Sequence, residues 1–439
     1  MRDFESYYAA GSAWVARENP YTPALWRHEQ PIPGVRADRY EVLPFLGFPA
    51  LLPLWGAFAT LGFSVAAALW AVLTIVLLLG AIWLLLRQLH ARDVGSFLSV
   101  SALCICFAPL TSAFALGQAA LPVFALIVMT TALFVVDPAR ASSAAFFTAL
   151  QPNLAVTLLS QIRYRDVALV LGVVALALLV LTPLVSSLAD VRAYVSELGA
   201  HAASERHALI QFTPGAIAYG FGLSDRASSA VGILSMLGAA AIWLTIMVRR
   251  WATRWWRLAI TCALLPFGSP FFHEHDFVVL LIPALMCLCS ARSRIWSIAA
   301  SATVLVAIDW LGLAQRPDGA FQSALLAFAL LGAIVAFSDQ PLRLHRFAGL
   351  AALLLIPAAV IAARFPAPIW PDALPAHVTW VRSTLSATWH AELQAAHELA
   401  PHPLWASLRL MTVIGAGLLA WCSIRTARTR EETASLHGT

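Results

Sequence analysis

The chain has 439 residues, 60% of them hydrophobic and only 12% charged, with a mean hydropathy of +0.78. Soluble globular proteins carry about 25% charged residues, so this composition excludes that class and predicts an all-α, polytopic integral membrane protein. The formal net charge of +5 comes entirely from arginine, with no lysine in the chain, and at this hydropathy it does not point to a nucleic-acid partner.

Residues 1–45 contain no apolar run that could serve as a signal-peptide core. They are polar and aromatic instead, opening "MRDFESYYAAGSAW". In a helix, Asp3, Tyr7 and Gly11 would lie about one turn apart. Asp3 at the edge of an apolar interior is a candidate general base. The plainer reading is an acid at a helix start, where it complements the dipole. Asn19-Pro20-Tyr21 is a turn signal. "RYEVLPF", from Arg39 to Phe45, then brings Tyr40 and a proline back toward the bilayer.

A bilayer crossing needs about 20 apolar residues. Runs near that length lie at about 63–86, 95–116, 119–136, 166–188, 228–248, 258–272, 277–291, 295–313, 320–338, 346–364 and 406–424. They are continuous rather than alternating, which rules out a transmembrane β-barrel. Arginines concentrate on the cytoplasmic side of span ends. Placing Arg87, Arg92, Arg163, Arg165, the "RRWATRWWR" cluster, Arg292, Arg294, Arg343, Arg346 and the 425–439 tail inside gives about 11 alternating spans with the N-terminus outside.

Residues 142–161 break that alternation, because Arg140 and Arg163 flank them on the same side. Proline removes a backbone donor and interrupts a helix. The segment therefore predicts a re-entrant pair of half-helices with Gln151-Pro152-Asn153 at the break, against the plainer reading of an ordinary span. The outer side then collects residues 1–45, Gly117-Gln118, the 151–153 break, the loops 189–227 and 365–405, 314–319, and 269–276.

The stretch "SPFFHEHDF", Ser269 to Phe277, puts His273, His275 and two acids between apolar runs. Ionisable groups at membrane depth are costly and mark functional sites. The H-x-H spacing lacks a third and fourth ligand, so no metal or other cofactor is expected, although a divalent ion is not excluded. The six cysteines read as small buried hydrophobes. Gln118, set between two apolar runs, needs partners and either holds a ligand hydroxyl or pins a helical hairpin. Asp309-Trp310 reads as an interfacial anchor. Outer arginines such as Arg17 and Arg36 are candidates for phosphate.

The ordered set D-F-x-x-Y-Y-x-A-G, N-P-Y, Y-x-x-x-P, G-Q, a helix break at x-P, and S-P followed by histidine resembles glycosyltransferase family 87 over most of residues 1–290. Those are GT-C superfamily enzymes that use polyprenyl-phosphate sugars, mannosyl- and arabinofuranosyltransferases among them. The resemblance implies that Asp3 and His275 are catalytic. It implies that Tyr7, Tyr8, Tyr40, Gln118, Gln151 and His273 contact substrate, with His273 an alternative for the role of His275. It implies a single GT-C-type domain over 1–439: an extracytoplasmic loop 1–45, helices over 46–424 and a cytoplasmic tail from 425. It also implies a bacterial inner-membrane location, a lipid or glycan acceptor, and one family helix missing ahead of Met1, as in a gene start placed too far downstream. The break carries Gln151 where the family often has lysine. Two other classes fit less well. A flippase or transporter would show paired repeats, and none is seen. An O-antigen ligase or polymerase would use the 365–405 loop but leaves the N-terminal motif unexplained.

Overall fold

The computed structural model describes residues 1–32, 41, 43–91, 93–249, 252–291, 293–310, 364 and 384–437. Among them every regular element is a helix, and an isolated bridge pairs Gln211 with His273. The all-α, membrane-type fold expected from composition is what the chain adopts. Among the described residues, four helices are long and apolar enough to cross a bilayer: Phe63–Gln88, Arg165–Val185, Asp225–Val248 and the Pro403–Arg430 part of the last helix. Their outward residues, such as Val72, Leu179 and Leu237, are exposed, as helix faces toward lipid tails would be.

The expected span at 95–116 divides into Val94–Cys106 and Ala108–Leu116, bent by 68°. Phe107 is extended between them, and Pro109 sits in the first turn of the second piece, where a missing N–H is harmless. The expected spans near 119–136, 258–272, 277–291 and 295–313 correspond to shorter helices, Ala120–Leu133, Arg254–Gly268, Leu281–Ser290 and Ser293–Ala307. These lie largely inside the main apolar core. The runs at 320–338 and 346–364 fall outside the described residues, apart from Arg364. Trp310 is fully buried, and its indole donates to the Leu305 carbonyl at 2.8 Å. It closes the end of its own helix rather than standing at an exposed interface.

The N-terminal stretch forms the helix Arg2–Val15. It lies so close to the helix Leu52–Ala59 that a Cβ on Gly11 would fall 2.1 Å from the Trp55 carbonyl oxygen. Only glycine permits that approach. Phe4 stacks on Trp70 at 5.8 Å between centroids and meets the edges of Trp55 and Phe58. The aromatic spacing of the opening stretch thus builds a second core, which clamps the first helix onto the head of Phe63–Gln88. The Asn-Pro-Tyr turn closes as its residue types predict. The Asn19 side chain accepts from the Tyr21 N–H at 2.9 Å, and the Tyr21 hydroxyl donates to the Gly47 carbonyl at 2.7 Å.

Residues 142–161 are not one helix. Pro138–Phe147 gives way to a 3-10 turn, Thr148–Leu150. Gln151 is extended at φ −138°, ψ 82°, and Pro152–Ala155 and the 3-10 helix Val156–Gln161 follow. The residue before a proline is pushed away from helical angles, which is why the break falls on Gln151.

Candidate functional site

The first helix presents Asp3 at its N-terminal end, half-buried. Gly117 stops the helix Ala108–Leu116 with a left-handed φ of 74°, and its carbonyl accepts from the Trp70 indole at 3.0 Å. That turn delivers Gln118. Its amide nitrogen donates to the Asp3 carboxylate at 2.5 Å, and its amide oxygen accepts from the Tyr7 hydroxyl at 3.0 Å. Burial, reinforced by the charge on Asp3, pushes the Tyr7 phenol far above the usual tyrosine range, so Tyr7 remains a donor. Tyr7 is held flat against Trp55, with centroids 4.7 Å apart. Tyr8 points elsewhere and donates to the Leu61 carbonyl at 2.7 Å. Adjacent helix positions diverge by about 100°, so both tyrosines cannot reach one amide. Tyr40 lies outside the described residues.

The helix break meets the histidine loop through Asp276. This carboxylate is fully buried and accepts from Gln151 at 2.9 Å, from Asn153 at 3.1 Å and from the His273 N–H at 3.0 Å. Gln151 therefore donates to a protein carboxylate. Burial raises the Asp276 carboxyl, offset by His273 and by these donors. Asp276 stood in the quoted stretch without a role, as did Asn153 at the break. The available clue was that a buried acid needs several donors and that an interrupted helix supplies them.

His273 and His275 lie ring to ring, with centroids 5.1 Å apart. In an α-helix, residues two apart diverge by about 200°. Here His273 is extended, at φ −98° and ψ 172°, ahead of the 3-10 helix Glu274–Leu280, so the two share one locality. Their electrostatics differ. His275 is pushed down to about 3 by burial and by neighbouring His273, partly offset by Asp3 and Glu205, and it is neutral at physiological pH. Burial would lower His273 as well, but Glu205, with smaller contributions from Asp276 and Asp3, raises it. Asp3 thus acts on both histidines and on Tyr7. Among the described residues no group of three or more His, Cys, Asp or Glu side chains could hold a metal ion, and the cysteines are free and mostly buried.

A family model, glycosyltransferase family 87, matches residues 45–272, just over half of the chain. The chain belongs to glycosyltransferase family 87. The matched range includes Gln118, Gln151 and Asn153; Asp3 and Tyr7 precede it, and His273 to Asp276 follow it directly. No curated protein and no solved structure matches the chain. The family establishes a membrane glycosyltransferase, and the cluster around Asp3 is where its polar groups converge at the heads of apolar helices.

Proposed function

We propose that this family 87 glycosyltransferase takes its sugar from a polyprenyl-phosphate donor and passes it to a lipid or glycan acceptor on the extracytoplasmic face of a bacterial inner membrane. The observation that carries this reading is the Asp3 carboxylate, held by Gln118 beside Tyr7 and coupled to His273 and His275. Asp3 takes the proton of an acceptor hydroxyl. The freed oxygen attacks the anomeric carbon from the face opposite the phosphate. The carbon–oxygen bond to the phosphate breaks with its electron pair, and the configuration inverts. The departing lipid phosphate gains negative charge, which the N–H groups of His275 and the cationic His273 meet. Preorganised donors at a site of developing charge lower the barrier most. Tyr7 and Gln118 shape the sugar end of the pocket, and the lipid tail binds along apolar helices.

The test is transfer by the purified Asp3→Asn variant, using polyprenyl-phosphate mannose and polyprenyl-phosphate arabinofuranose as donors. Loss of a general base costs about 10²–10⁴ in rate, with insertion and donor binding retained. An Asn variant as fast as the wild type would remove Asp3 from this role.

A further inference from the structure

Behind His273 lies a carboxylate that no part of the reaction above uses. Glu205 is 2% exposed and sits just after the helix Leu188–Ser204. One of its oxygens lies 2.9 Å from His273 Nε2 and accepts from the Gln211 amide at 2.9 Å. The other accepts from the Trp389 indole, and His201 Nε2 stands 3.3 Å from it. Gln211 is fixed in turn: its side-chain oxygen accepts from the Phe272 N–H at 3.0 Å, and its backbone carbonyl accepts from Arg409 at 2.7 Å. The main chains run together here as well, with the Phe212 N–H donating to the Phe272 carbonyl at 2.8 Å. A buried carboxylate with this many donors is a built feature, since ionised groups leave water only where they are paired.

We propose that Glu205 is a positioning residue: through its bond to Nε2 it fixes the ring of His273 beside His275 and favours its cationic form. This rests on the site reading given above for Asp3 and the histidines. The His273 side chain also meets the Asp276 N–H at the cap of the 3-10 helix, and the Gln211 amide nitrogen lies 2.9 Å from Nε2, so the ring is held from more than one side, and the partner of one ring nitrogen sets the state of the other. Charge logic agrees with the geometry. Burial would raise the Glu205 carboxyl, but His201, His273 and the Trp389 indole overcome it and hold it at about 2, so it is ionised at physiological pH. The titratable groups acting on His273 are Glu205, Asp276 and Asp3, with His275 ring to ring at 5.1 Å and His201 acting across the shared Glu205. Burial and the neighbouring His273 keep His275 neutral, against the opposing pull of Asp3 and Glu205. Of the two rings, His273 is therefore the one that can bring a full positive charge.

The experiment reads protonation without turnover. Diethylpyrocarbonate modifies only neutral imidazole, so its rate at His273 is followed by peptide mass spectrometry across pH in the full chain in detergent. The wild-type midpoint is expected above the ordinary histidine value of about 6.5. Glu205→Gln should bring it down by at least about one unit, a roughly tenfold faster modification at pH values below both midpoints. Where the variant transfers sugar, kcat should fall on the order of 10²-fold with donor KM little changed, and Glu205→Asp should recover part of the loss. A folded Glu205→Gln protein with the wild-type midpoint and kcat overturns the proposal. If that variant does not fold, a wild-type midpoint at or below the ordinary value overturns it equally. A wild type that modifies as expected but ignores lipid-phosphate donors refutes the donor reading and leaves the Glu205–His273 pairing standing.

Discussion

Gln118 and Asp3, separated by 115 residues of sequence, meet at 2.5 Å, and the same amide accepts from Tyr7. The amide cannot rotate without losing both bonds, because its nitrogen suits the carboxylate and its oxygen suits the phenol. Gln118→Leu should leave Asp3 unsteered at similar volume. A hydrogen bond to a charged group contributes about 1.5–3 kcal/mol, so kcat/KM is expected to fall about ten- to a hundredfold. Rates equal to wild type would mean that this bond has no part in turnover.

Much of this pairing was legible. Asp3, Tyr7 and Gly11 declared a helix face, and Gly117 declared a turn that sets Gln118 between apolar runs. What periodicity could not supply was the partner, because nothing local links position 3 to position 118. Glu205 and Gln211 were missed for the same reason. A lone acid in an outer loop looks solvated until a histidine from 68 residues further on reaches it. The closeness of His273 and His275 has a different source: the stretch begins extended and continues as a 3-10 helix, so the α-helical period does not apply to it. Gln151 was foreseen at the break but not its bond to Asp276, since a broken helix says that donors are freed and not where they go.

Gly11→Ala tests the docking of the first helix. The added carbon would sit 2.1 Å from a backbone oxygen that cannot swing aside, so the helix must shift. Overpacking typically costs about 1–3 kcal/mol. A lower melting temperature in detergent is expected, together with reduced transfer, because Asp3 rides on the same helix. An unchanged melting temperature would contradict the close packing on Trp55.

Glu398 makes stability depend on pH. Burial raises its carboxyl to about 7, although Arg409 pulls the other way. The folded protein therefore holds a proton that the unfolded chain releases near 4.5. Stability from this group is fully present below that value and is lost as pH rises through about 7. The loss is at most about 3.4 kcal/mol, at 1.36 kcal/mol per unit. Melting curves of Glu398→Gln should lack this decline between pH 4.5 and 7. Parallel curves for variant and wild type would rule the linkage out.

Sidedness is open to cysteine labelling in a cysteine-free background. Ser196 and Ser224 are exposed on the segment assigned outside, and Ser143 and Thr429 are exposed on segments assigned inside. An impermeant maleimide added to intact cells should modify the first pair and spare the second. The reverse pattern would turn the Asp3 cluster toward the cytoplasm and remove the case for a lipid-linked donor.

The bond from the Trp389 indole to Glu205 spans 184 residues. At about 5–20 residues per second, a ribosome takes roughly 10–40 s to travel that distance. Throughout that interval the carboxylate has only its nearer partners, and an incompletely paired charge resists burial. The loop bearing His273 therefore stays wet until the final third of the chain is made. The polar centre is thus completed late, by Trp389 and by Arg409 of the last apolar helix, so a chain halted before Trp389 would carry most of its apolar helices and yet lack these partners.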